Sequence, residues 1–169
     1  VTGVQTCALP ISDFEHRINP LSLVEIIIYV VRRMKDHKEA IQFLEKIQEK
    51  VKNNGLAVVL CKTTIGDIHL TQGELDSVKK IIEEAEGLLN EIDGVTNVHG
   101  RFYELSSNYY KIQGNHADYY RDALRYLGCT ELKEISGAEQ VERAFNLGVA
   151  AILGKGVYNF GELLAHPIL

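Results

Sequence analysis

Gly148 and the pair Gly154-Lys155 come nearest to a phosphate-binding motif in this sequence. A P-loop cradles phosphates with glycine backbone N–H groups and a lysine, and it needs four residues between the first Gly and Gly-Lys, then Ser or Thr. Here five residues, Val149 to Leu153, intervene, and Gly156 follows the lysine. The spacing therefore predicts a helix that ends on glycine. The histidines His16, His37, His69, His99, His116 and His166 never form an H-E-x-x-H array, and surface or turn positions account for them. His99 and His116 open the two arms of a short-turned helical pair, so antiparallel packing sets them at opposite ends. Cys7, Cys61 and Cys129 contain no C-x-x-C and are odd in number, which suggests neither a zinc site nor a disulfide framework. Ser106 and Ser107 show no His or acid partner along the chain that would make a nucleophile. The doublets Tyr109-Tyr110 and Tyr119-Tyr120 could stack on bases. The charge around them is mixed, however: Glu104, Lys111, Asp118, Arg121, Asp122 and Arg125. One Tyr of each doublet is expected to face inward and the other to meet solvent or a protein partner. No catalytic, cofactor-binding or metal-binding residue is predicted, and no small-molecule substrate.

The totals agree with that. In 169 residues the hydrophobic share is 46%, enough for a sizeable core, and 18 basic residues face 23 acidic ones for a net charge of −5. Nucleic-acid binding rests on neutralising phosphates, so the balance gives no reason to expect it, and protein partners are favoured. Three Pro, no Trp and abundant helix formers predict an all-α fold. No apolar run approaches the ~20 residues that cross a bilayer; Leu21 to Val31 is interrupted by Ser22 and Glu25.

The elements that would position these residues are read from apolar spacing. Asn19-Pro20 starts a helix to Met34 whose apolar residues wrap most of its circumference, which predicts that neighbours sandwich it. Asp36 caps a helix to Lys52, with Ala40, Leu44, Ile47 and Val51 inward. The next, Leu56 to Thr71, has Val58, Val59, Ile65 and Ile68 as core, and it breaks at Gln72-Gly73. An amphipathic helix to Glu91 follows on Leu75, Val78, Ile82, Ala85, Leu89 and Ile92, with Lys79 and Lys80 in reach of Asp76, and Lys80 of Glu84. Val98, Phe102, Leu105, Tyr109 and Ile112 then share one face, and Tyr120, Ala123, Leu124 and Leu127 share another. Gly114-Asn115 turns between the two arms, and Gly128 ends the second. Phe102, Leu105, Tyr109, Tyr120 and Leu124 are the expected core of this hairpin, and Gly73, Gly114 and Gly128 the expected turns. Gln-Gly recurs 41 positions apart (114 − 73), a period suited to stacked helical hairpins. Ser136-Gly137 opens a last long helix to Leu153, with Val141, Ala144, Phe145, Gly148, Ala151 and Ile152 on one side. A short helical turn closes the chain, and no helix with a polar outer face caps the stack at either end.

Residues 1–11 have no regular period and read, codon by codon, as the translation of a common sequencing-library adapter. They are expected not to be native. The runs Ser12 to Ile27, Phe43 to Lys46, Val98 to Tyr110, Gly114 to Ala117, Tyr120 to Cys129 and Tyr158 to Pro167 closely resemble the family of non-ATPase regulatory subunit 13 of the 26S proteasome. These are PCI-domain subunits of the regulatory-particle lid. The resemblance covers residues 12–169 and implies a right-handed, TPR/PCI-like solenoid of stacked antiparallel helical hairpins. It divides the chain into a hairpin-repeat region, 12–117, and the first helical part of a PCI domain, 118–169, truncated before the winged helix. It further implies a non-catalytic scaffold for ubiquitin-dependent protein degradation, partnered by other lid subunits in the cytoplasm and nucleus, without cofactor, nucleic acid or membrane. The competing reading of the residues is a TPR-like adaptor that holds a peptide in its inner groove. That reading calls for a cluster of Lys, Arg and Asn on inner helix faces, and none is visible in the sequence.

Overall fold

The computed structural model describes residues 19–168. Residues 1–11, expected to derive from an adapter, and the start of the family resemblance at Ser12 lie outside them. Eight α-helices and one 3₁₀ turn make up the described regular structure, with no strand among these residues.

Helix α1 (Pro20–Val31) starts where Asn19 accepts the Leu21 N–H on its side-chain oxygen at 3.0 Å, with Pro20 in the first turn. It buries Val24, Ile27, Ile28 and Val31. It is not sandwiched: Ile26, Tyr29 and Val30 are more than half exposed, because α1 meets the stack along one side only. It also ends three residues before Met34, where Arg33 and Met34 close i→i+3 turns onto Val30 and Val31. Asp36 caps α2 (His37–Lys50) by accepting the N–H groups of Lys38 and Glu39, and Ala40, Leu44, Ile47 and Val51 lie inward.

The wrapped helix is α3 (Gly55–Gln72), which packs on α1, α2, α4 and α5. Ala57, Val59, Leu60, Cys61, Thr63, Thr64, Ile65 and Gly66 are buried around its circumference, while Val58 and Ile68 are partly covered. Buried hydroxyls normally cost stability, but Thr63 and Thr64 donate to carbonyls one turn back, at Val59 and Leu60. Gly66 lets α5 close in: a Cβ there would stand 2.6 Å from a Leu105 methyl carbon. Helix α4 (Leu75–Asn90) buries Val78, Ile82, Ala85 and Leu89. Its surface pairs differ from those read in the sequence. Lys79 approaches Glu83, and Glu84 is taken by Lys62 of α3, which reaches it across the helix pair.

Helices α5 (Asn97–Gln113) and α6 (His116–Cys129) form the most extensively packed pair. A short 3₁₀ turn, Leu132–Glu134, leads to α7 (Gly137–Leu153), capped by the Ser136 hydroxyl, and to the short α8 (Phe160–Ala165). Two apolar clusters result. One gathers α1 to α5 around Leu44, Leu60 and Leu105; the other gathers α6 to α8 around Leu147, Tyr120 and Leu127. Tyr103 and Tyr110 of α5 pack against both. Each fully buried leucine contributes roughly 1.5–3 kcal/mol relative to exposure.

Candidate functional site

The α5–α6 hairpin carries the densest polar chemistry. α5 opens on Thr96, whose N–H donates to Nδ1 of His99 at 3.1 Å, so the ring must hold its proton on Nε2. His99 is buried, and burial lowers its pKa. Surface placement was expected for it; the residue is a buried helix cap. At the far end, Gly114 ends α5 at φ 72°, and Gly73 ends α3 in the same way at φ 78°. In both, the glycine N–H bonds three residues back and the next N–H five back: Leu70 and His69 in one, Lys111 and Tyr110 in the other. Gly128 is no turn. It lies inside α6, which runs on to Cys129 and stops at the extended Thr130.

Phe102, Leu105, Tyr109 and Tyr120 are buried, and Leu124 is partly covered on the edge of the second cluster. Ile112, assigned to the inner face, is exposed on the last turn of α5. The tyrosine doublets do not behave alike. Tyr109 is buried and Tyr110 half-buried, whereas both Tyr119 and Tyr120 are buried. The second doublet therefore offers no outward ring. Its Tyr120 hydroxyl donates to the Asn159 carbonyl at 2.8 Å and ties down the segment before α8.

Between the arms, Ser106 donates to Asp122 Oδ2 at 2.8 Å, so this serine does have an acid partner, 16 positions away. Asp122 is 3% exposed and also accepts from Arg121 Nε at 2.9 Å, with Arg125 at 3.7 Å. A buried carboxylate is tolerated when two cations and a hydroxyl compensate its lost water. Arg125 also lies 5.5 Å from the Tyr103 ring centre, and Arg143 of α7 lies 4.3 Å from that of Tyr126. Arg143 further pairs with Glu139 at 2.8 Å and Glu104 at 3.5 Å, joining α7 to α5. Among the described residues no histidine bonds to Ser106, and the network ties α5 to α6.

Burial raises the Cys61 thiol to about 12, which leaves it an inert apolar group. Among the described residues no group of three or more His, Cys, Asp or Glu could hold a metal ion. No helix there is long and apolar enough to cross a membrane. The Gly148–Lys155 stretch is the end of α7: Gly154 caps it with extended backbone, and Gly156 alone takes a positive φ, 82°. On α7 the apolar stripe faces outward. Val141, Phe145 and Ile152 are 71%, 70% and 79% exposed, while the inward face is Leu147, Ala150 and Ala151. Sequence spacing alone could not rank these two faces, since both are apolar.

The model of the family described as PSD13 N-terminal repeats matches residues 9–169. The chain belongs to this family. It is 40% identical over 163 residues to the 26S proteasome non-ATPase regulatory subunit 13 of Dictyostelium discoideum, covering 94% of this chain and 42% of the relative. It is 35% identical over 167 residues to homolog B of that subunit in Arabidopsis thaliana, at 94% and 43% coverage. Identity to the probable 26S proteasome regulatory subunit rpn9 of Schizosaccharomyces pombe is 37% over 164 residues, at 94% and 42%. The chain thus spans less than half the length of these curated relatives. The all-α hairpin architecture described above is that of the family's N-terminal repeats, and the family's members named here are regulatory subunits of the 26S proteasome.

Proposed function

We propose that this chain is the helical-repeat part of a non-catalytic scaffold subunit of the 26S proteasome regulatory-particle lid, where it holds other lid subunits by protein–protein contact. The observation that carries the reading is the outward stripe of α7, Val141, Phe145 and Ile152, on a family member whose polar network is spent on holding helices together. Large apolar side chains aligned on one exposed helix face mark a contact surface. The same reading assigns the protein to cytoplasm and nucleus. It divides the chain at 117/118, a division supported by the change of apolar cluster between Tyr109 and Tyr119.

Affinity purification of the tagged full-length protein, with mass spectrometry of what accompanies it, is the test. Recovery of the other lid subunits in fixed proportion is the expected result. Recovery of the protein with no lid subunit would sink the reading.

A further inference from the structure

Asn54-Gly55 is the single Asn-Gly step in the sequence, and Asp93-Gly94 is the single Asp-Gly step. Folding brings both to one end of the α3–α4 pair, where they meet at Ile92. A Cβ on Gly55 would stand 3.3 Å from the Ile92 Cδ1, and Asp93 is the next residue along the chain. In such a step the glycine main-chain nitrogen can attack the Cγ carbon of the preceding side chain, because glycine puts no Cβ in the way. By side-chain chemistry alone Asn54 is the more reactive member, since an amide loses ammonia more readily than an ionised carboxyl loses water.

The fold reverses that order. Asn54 caps α3, with its Oδ1 accepting the Ala57 N–H at 2.9 Å. Its backbone is held at φ −120° and ψ 102°, which carries the Gly55 nitrogen to the side of the Cα–C bond away from Cβ. A five-membered ring cannot close across that arrangement, and turning ψ to permit it would undo the cap and lift Gly55 off Ile92. Asp93 is under no such restraint. Asp93, Gly94 and Val95 are exposed between α4 and α5, and none of their N–H groups donates to a carbonyl among the described residues. Gly94 takes φ 84° with nothing within 4 Å of its Cβ position, so this step has room to turn.

We propose that Asp93-Gly94 is the isoaspartate-forming site of the native protein, while the cap of α3 keeps Asn54-Gly55 closed. The Gly94 nitrogen bonds to Asp93 Cγ, and its proton leaves with the hydroxyl of the protonated side-chain carboxyl as one water. A second water then opens the succinimide. Attack at Cγ restores aspartate. Attack at the Asp93 main-chain carbonyl carbon leaves the chain running through Cγ, an L-isoaspartyl link with a free α-carboxylate. The partner this chemistry fits is a methyltransferase that moves a methyl group from S-adenosylmethionine to that carboxylate. The reaction is independent of any lid contact.

For the test, full-length protein is aged at neutral pH and body temperature, with a parallel sample aged in urea. Labelling with an L-isoaspartyl methyltransferase and tritiated S-adenosylmethionine, followed by peptide mapping, locates the isoaspartate. In the native sample the label should fall on residue 93 and the Asn54 amide should persist; in urea Asn54 should react first. The Asp93→Asn variant sharpens the comparison, because it carries two Asn-Gly steps in different settings. Folded, position 93 should lose its amide about tenfold or more faster than Asn54, and in urea the two rates should converge. The connection is exposed, so the melting temperature of this variant should match the parent. Two outcomes overturn the proposal: native Asn54 losing its amide as fast as position 93 in the variant, or an aged native protein with no label on residue 93.

Discussion

His99 closes the start of α5 with an acceptor that only the neutral ring supplies. Its pKa is lowered in the folded state by burial, so the unfolded chain takes up a proton first as pH falls. Stability from this cap is therefore complete above the ordinary histidine range, near ~6.5, and is lost as pH drops through the lower folded value. Thermal melts between pH 8 and 5 should show that loss. Substituting Gln, which can serve the same reciprocal cap, should flatten the profile in this window; an unchanged slope would mean that another group titrates there. Phe102 sits at 3% exposure in the larger cluster and stacks edge-on against Tyr103 at 5.4 Å. Phe102→Ala should cost about 3–5 kcal/mol by denaturant unfolding. A cost below ~1 kcal/mol would place the ring outside the core.

At the scale of the element, the glycines sort by backbone and not by composition. Gly114 holds φ 72° with open space around it, so Gly114→Ala should lose about 1 kcal/mol through backbone strain alone. Gly87 is helical in α4, again with open space, and Gly87→Ala should gain roughly 0.5–1 kcal/mol. Opposite signs in paired chemical denaturation curves check the assignment. The helix starts were legible because Asn19, Asp36 and Ser136 announce themselves by type and position, and the amphipathic α4 was legible because its period leaves one solution. What the sequence could not rank is which side of an apolar helix meets the stack. α1 and α7 both carry apolar residues on two faces, and only packing against α3 or α6 chooses between them. Gly128 misled for a related reason, because a glycine near a helix end is a turn only if its backbone inverts. The link from Ser106 to Asp122 joins residues from separate helices, and no local pattern encodes it.

For the whole molecule, two apolar clusters share one hairpin, and the outer faces of α1 and α7 stay open to contact. Phe145 is 70% exposed, so Phe145→Ser should leave the unfolding midpoint within about 0.5 kcal/mol of the parent. The same variant should lower recovery of lid subunits in the pull-down, since the stripe is the contact surface proposed above. Undiminished recovery with unchanged stability would move that contact to another face.

The hairpin that joins the clusters also determines how the chain responds to mechanical load. α5 enters and α6 leaves at the same end, with the Gly114 turn at the other, so tension along the chain peels the pair apart turn by turn and does not shear it. The clasp of Ser106 and Arg121 on Asp122 lies about halfway along both arms. A peeling front arriving there must break the Ser106–Asp122 hydrogen bond and expose a buried carboxylate, while Arg121 stays with Asp122 on the same arm.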